Sequence, residues 1–182
     1  YQAEQRDGEN HFDNLRPTTP QALVKIQPIS LAIYRTIEKK EWANLCQCHR
    51  LAHLKLQAGT TTLFDHDFNE HATCLKRLNT LEVEHHIMMD ESSAMVLGRA
   101  LKAFTQLTKL ELKCYNLCEV LPTLSPFLSH LTALQHLKLF RNSDSLLDGD
   151  GVGLLVSHLS TLTQLIHLDL SRLLDGKDEE SV

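Results

Sequence analysis

A single phrase recurs along this 182-residue chain and constrains its fold more than any other feature. It reads Leu51-Ala-His-Leu54-Lys-Leu56, Leu78-Asn-Thr-Leu81-Glu-Val83, Leu107-Thr-Lys-Leu110-Glu-Leu112, Leu134-Gln-His-Leu137-Lys-Leu139 and Leu165-Ile-His-Leu168-Asp-Leu170. The first leucines fall at 51, 78, 107, 134 and 165, which makes the intervals 27, 29, 27 and 31 residues. A weaker copy, Ile26-Gln-Pro-Ile29-Ser-Leu31, precedes them. A period of roughly 20–50 residues marks a chain built from stacked units.

Each phrase has a Leu-x-Leu core, and spacing two is the period of a strand. Upstream the period changes. Three residues before the first leucine stand Cys48, Leu75, Phe104, Leu131 and Leu162; six before it stand Leu45, Ala72, Leu101, Leu128 and Leu159. Ten before it stand Glu41, Phe68, Leu97, Leu124 and Leu155, so only Glu41 breaks the apolar column. Spacings of three and four place side chains on one face of a helix. Each unit is thus predicted to be a strand, a turn and a helix.

Such a unit has two apolar surfaces and cannot cover both by itself. Stacking strand beside strand and helix beside helix encloses the leucines, which number 35, about twice the usual share of a common residue. A helix crossover between strands makes them parallel. Helices are ~10 Å wide and strands only ~4.8 Å apart, so both layers curve. The predicted fold is α/β, with parallel strands on a concave face and helices on a convex one.

These phrases resemble those of leucine-rich repeat proteins, and the interval with an outer helix is similar to the ribonuclease-inhibitor-like subclass. The resemblance spans residues 23–175 and implies a horseshoe solenoid of about five to six repeats. It departs at the ninth position of the phrase, where the family carries Asn or Cys. Here that column reads Gly59, His86, Tyr115, Asn142 and Leu173. The resemblance implies a non-catalytic protein-binding module, and ribonuclease-inhibitor-like proteins block an enzyme by covering its active site. Similar repeats occur in effectors that intracellular bacterial pathogens deliver into host cells, which implies the host cytosol. A substrate-recruiting arm of a larger enzyme, such as a ubiquitin ligase, is the alternative.

Residues 1–22, with Pro17 and Pro20, read as a polar N-terminal arm or cap. Ile37–Leu45 reads as the first outer helix with Trp42 as its anchor, Ser143–Gly151 as a loop, and 176–182 as a charged tail. The chain starts without a basic stretch leading into an apolar run, so no signal peptide is expected. No run approaches ~18 apolar residues, so no membrane span is expected either.

Strand alternation selects the side chains that face a partner. They are His53, Lys55 and Gln57; Thr80, Glu82 and Glu84; Lys109, Glu111 and Lys113; His136, Lys138 and Phe140; and His167, Asp169 and Ser171. One residue later, Ala58, His85, Cys114, Arg141 and Arg172 are expected at the rim. Stacking would bring Lys55 beside Glu82, Glu111 beside Lys138, and Lys138 beside Asp169. Exposed pairs contribute at most ~1 kcal/mol each, so the bland reading is a solvated, self-neutralising surface. Phe140 is less bland, because aromatics and Arg are favoured interface anchors. Phe140, Arg141, His136 and Lys138 are expected to carry the affinity for a globular protein partner, the alternative for Phe140 being contact with the 143–151 loop.

Other chemistries fit less well. Basic residues number 18 against 23 acidic ones, a balance that argues against nucleic acid. Five irregularly spaced cysteines suit a reducing cytoplasm. Cys46-x-Cys48-His49-x3-His53 has the residue types of a zinc site, but four ligands must converge at ~2.0–2.3 Å. The register turns Cys48 inward and His53 outward. Cys114 and Cys118 read as ordinary thiols. The 11 histidines fall into repeat columns, among them His136 and His167 on adjacent strands, where protonation would alter a contact. Asp148-Gly-Asp-Gly151 lacks the further acidic ligands of a calcium loop. No phosphate loop or hydrolase motif is present. The chain is therefore read as no enzyme, with no metal, no cofactor and no catalytic residue.

Overall fold

The computed structural model of the protein describes residues 4–6, 9–12, 24, 25, 27–34, 37, 39–58, 66–141, 149–170 and 173. The elements run β1 (Glu4–Arg6), β2 (Glu9–Phe12), β3 (Ser30–Ile33), α1 (Lys39–Leu45), β4 (His53–Ala58), α2 (His66–Ala72), a 3-10 turn (Thr73–Leu75) and β5 (Thr80–His85). They continue with α3 (Glu91–Leu101), β6 (Lys109–Cys114), α4 (Leu117–Leu128), β7 (His136–Arg141), α5 (Gly149–Leu159) and β8 (His167–Asp169). The strands form one sheet in chain order. β1 is antiparallel to β2, and each later neighbouring pair is parallel. From β3 to β8 a helix separates consecutive strands, as parallel pairing demands. The architecture is α/β with a parallel sheet.

The recurring phrase sets the register. Leu54, Leu81, Leu110, Leu137 and Leu168 pair in succession, and Leu56, Val83, Leu112 and Leu139 do the same. Ahead of each strand one carbonyl accepts two N–H groups from the next unit: Ile29 from Ala52 and His53, Ala52 from Asn79 and Thr80, Asn79 from Thr108 and Lys109. Thr108 and Gln135 continue the series. The weak first phrase is shifted from expectation. Leu31 pairs with Leu54 and Ile33 with Leu56, two residues later than the expected Ile29 and Leu31. Buried Pro28 then stands where the other units have their first leucine. In the other units the N–H of that leucine bonds back into the preceding turn, as Leu51 N does to Cys48 O. It does not enter the sheet, so a proline fits there without costing a ladder bond.

Between sheet and helices the predicted columns close into a core. The residues three, six and ten before each first leucine are buried, from Phe68, Ala72 and Leu75 through Leu155, Leu159 and Leu162. Each fully buried large side chain contributes about 1.5–3 kcal/mol. In the first unit Trp42 takes the place that Glu41 cannot fill, and its ring centroid lies 5.0 Å from that of Phe68. Helix α3 starts at an Asp90 cap whose carboxylate accepts from Ser93 N at 2.8 Å. Gln27 adopts φ 50°, a conformation that costs a side-chain-bearing residue about 1–2 kcal/mol. Its amide offsets this by bonding Val24 O (2.7 Å), Gln47 O (2.9 Å) and His49 N (2.8 Å), tying the chain before β3 to the end of α1.

Within the segment read as an arm or cap, β1 and β2 extend the sheet beyond the phrases. At the other end, α5 begins at Gly149, so the last part of the expected 143–151 loop is helical; Asp150 in its first turn suits the positive end of the helix dipole. Residues 142–148 and the tail 176–182 lie outside the described residues.

The ninth-position column is replaced by one buried amide a residue further on. Asn116 Oδ1 accepts from Met89 N at 2.8 Å, and its Nδ2 donates to Met89 O at 3.0 Å and to Glu119 Oε2 at 3.1 Å. Met89 is itself buried, so loss of the amide strands two backbone groups. Asn116→Ala should lower the unfolding free energy by about 2–4 kcal/mol in urea titrations. A change below ~0.5 kcal/mol would contradict this role.

Candidate functional site

The face of the sheet away from the helices carries the predicted contact residues. In β5, β6 and β7 alternate residues are buried and the rest lie half-buried or exposed. His53, Thr80, Lys109, His136 and His167 form one cross-strand row, and Lys55, Glu82, Glu111, Lys138 and Asp169 a second. Gln57, Glu84, Lys113 and Phe140 form a third. Arg172 and Ser171 lie outside the described residues.

The rim assignment needs correction. His85 and Cys114 are fully buried and Arg141 is only 8% exposed, because strict alternation turns the residue after an outward one back into the core. His85 Nδ1 bonds Ile87 O at 2.7 Å. The Arg141 charge acts on the Cys118 thiol instead of standing at an edge. Burial raises the pKa of Cys118, and Arg141 opposes that rise. Burial pushes the Cys114 thiol up to about 12. Both are held as thiols, and all five cysteines are free.

Charges on the face largely satisfy one another. Lys109 Nζ lies 2.7 Å from Glu82 Oε1 and 3.8 Å from Glu111 Oε2, while Lys55 is 4.0 Å from Glu82. Lys113 Nζ is 2.5 Å from Glu84 Oε1. Glu111 sits beside Lys138 in register, yet its ion pair is with Lys109 on its own strand. Lys138 turns to Asp169 at 3.8 Å and stands 4.3 Å from the centre of the Phe140 ring. The His136 and His167 rings are 5.8 Å apart, both exposed. Four lysines (Lys55, Lys109, Lys113, Lys138) balance four carboxylates (Glu82, Glu84, Glu111, Asp169).

Glu84 is the most constrained of these groups. Its partial burial would raise the pKa, but the Lys113 hydrogen bond and charge, helped by His86 and Lys55, leave it below the usual 4.5. A carboxylate with a lowered native pKa stabilises the fold above its unfolded pKa, and that stabilisation disappears as pH falls through the native value. Stability should therefore decline from about pH 4.5 downward. Glu84→Gln should be less stable than the parent at neutral pH, with the gap closing toward pH 3 in acid titrations. A gap that stays constant would show the pairing to be inert. Nearby, His86 Nε2 meets Gln57 Nε2 at 2.8 Å, so a neutral ring accepts from the amide. On protonation the same nitrogen could only donate, and Glu84 Oε1 stands 3.7 Å away.

Among the described residues no group of three or more His, Cys, Asp or Glu side chains is placed to hold a metal ion. Cys48 is buried toward the core, while His53 lies on the open face. Among the same residues no helix is long and apolar enough to cross a membrane. Sequence reasoning missed Asn116 and Gln27, whose amides act on backbone groups and leave no periodic trace. The chain matches no family model, and no curated protein matches it.

Proposed function

We propose that the chain is a leucine-rich repeat protein of the ribonuclease-inhibitor-like kind and a non-catalytic module that binds a globular protein on its open sheet face. In this reading the eight strands belong to a curved solenoid, and the partner sits in the concavity. The observation that carries it is Phe140, an aromatic ring on the outward side of β7 with the Lys138 ammonium 4.3 Å from its centre. An outward-facing ring beside a cation supplies apolar area and charge together, the combination of an interface anchor. Six strands at ~4.8 Å span about 24 Å, wide enough for a standard interface of ~800 Å² per partner. Inhibition of an enzyme would follow from covering its cleft, without chemistry from this chain. A reducing cytosol is the compartment that suits five free thiols.

The test is affinity capture with quantitative mass spectrometry, using the parent, a Phe140→Ala/Lys138→Ala variant and a Val156→Ser control on the helix side. Phe140→Ala/Lys138→Ala should reduce recovery of the specific partner at least ~10-fold, and Val156→Ser should leave it unchanged. Equal capture by all three would reject the face. Arg141 is left out of this variant, since removing a buried charge would report on folding.

A second reading, the recruiting arm of a larger enzyme, rests on the last unit. Leu168 occupies a core column yet is 43% exposed, and Ile166 is 76% exposed with Leu154 and Val156 also open. Further structure packed there would cover them. A longer open reading frame encoding a catalytic domain would favour this version.

A further inference from the structure

The cysteines at the first two units are not equivalent bystanders. Cys46 follows the end of α1, and Cys74 lies in the 3-10 turn that ends the helix of the next unit, 28 residues on. Stacking brings these helix ends together: the Cys46 Sγ donates to His71 O at 3.6 Å, three residues before Cys74, and the neighbouring Cys74 thiol is among the causes that raise the Cys46 pKa. Cys74 is exposed and Cys46 half-buried, whereas the nearby Cys48 is buried with its Sγ 3.5 Å from Asn44 O. Of the two thiols, Cys74 is thus the one more open to solvent.

We propose that Cys46 and Cys74 form a reversible disulfide between consecutive units when the protein meets a hydroperoxide. The exposed Cys74 thiolate attacks the peroxide, taking one oxygen and releasing an alcohol or water, and becomes a sulfenic acid. Cys46 gives up its proton and the resulting thiolate attacks the Cys74 sulfur; the S–S bond forms, the S–O bond breaks, and the sulfenic oxygen leaves as water with that proton. Sulfur is oxidised by two electrons overall and the peroxide reduced by two. A thiol pair restores both cysteines by exchange. Burial, with the neighbouring Cys74 and Cys48 thiols, pushes Cys46 up to about 12. Exposure assigns the first oxidation to Cys74 and leaves the resolving role to the less accessible Cys46. In a reducing compartment such a pair is a transient, sensing disulfide, which separates it from Cys114 and Cys118 in the core. This inference is independent of the binding reading.

The experiment treats the intact, reduced protein with stoichiometric hydrogen peroxide. Alkylation in denaturant without reductant and peptide mapping follow. The expected result is a Cys46 peptide linked to the Cys74 peptide, two of the five thiols lost to alkylation and both regained with dithiothreitol. Cys46→Ser should stop at a sulfenic acid on Cys74 that dimedone traps, and Cys74→Ser should leave Cys46 reduced. The proposal is overturned if Cys74 oxidises while Cys46 stays alkylatable, if either pairs with another cysteine, or if neither reacts while a free-cysteine peptide is consumed.

Discussion

Leu110→Ala should lower the unfolding free energy by about 3–5 kcal/mol, and Leu168→Ala in the same cross-strand file by only about 1 kcal/mol. Both residues sit at the same position of the phrase, and the register lines them up through Leu137. Their surroundings differ. Leu110 is fully buried between Leu81 and Leu137, while Leu168 belongs to the last strand and is 43% exposed. A cavity left between strands on both sides relaxes only in part, whereas at half-exposed Leu168 water fills the space. Domains of this size have only about 5–15 kcal/mol to lose, so the first substitution removes a large share. Urea unfolding of the two variants side by side measures the contrast. Equal losses would mean that the two leucines do not share a stack with an open end.

Gly98→Ala is expected to destabilise by about 1–3 kcal/mol although alanine is the better helix former. Gly98 lies in α3, where an added Cβ would meet the Phe127 Cδ2 of α4 and come within 2.7 Å of its Cε2 and Cγ. The Cγ is anchored close to the backbone, so the ring cannot simply swing its tip away. The helices must separate or Phe127 must leave its rotamer, and with it the Lys102 ammonium 5.1 Å from its centroid. Gly153 in α5 is the internal control. Nothing lies within 4 Å of its added Cβ, so Gly153→Ala should stabilise by about 0.5–1 kcal/mol. Repeating Gly98→Ala in a Phe127→Ala background should turn its loss into a gain. A stabilising Gly98→Ala in the parent would contradict the close helix approach.

The phrases made most of the sheet legible, because strand period and helix period each leave a pattern that stacking must satisfy. Leu54 through Leu168 and the columns upstream of them follow from that alone. Other elements rest on interactions without periodicity. The short polar strands β1 and β2 pair through backbone groups, so Glu4–Arg6 and Glu9–Phe12 carry no apolar alternation to read. Pro28, not Ile26, holds the first-leucine position of the first phrase, so an apolar pattern read from Ile26 is two residues out of register. Asn116 stands where a helix cap belongs, yet its amide makes no cap bond and grips Met89 one unit back. On the open face the alternation placed Lys109, Glu111 and Lys113 as found. It also required Cys114 and Arg141 to turn inward, and the rim assignment failed by abandoning that period one residue early.

Nuclear Overhauser contacts between selectively labelled leucine methyl groups test the stacked, parallel register most directly. Leu110 methyls should show cross-peaks to Leu81 and Leu137, and Leu112 methyls to Val83 and Leu139. Contacts of Leu110 with neither neighbour, or a pattern that reverses the order along one strand, would contradict that register.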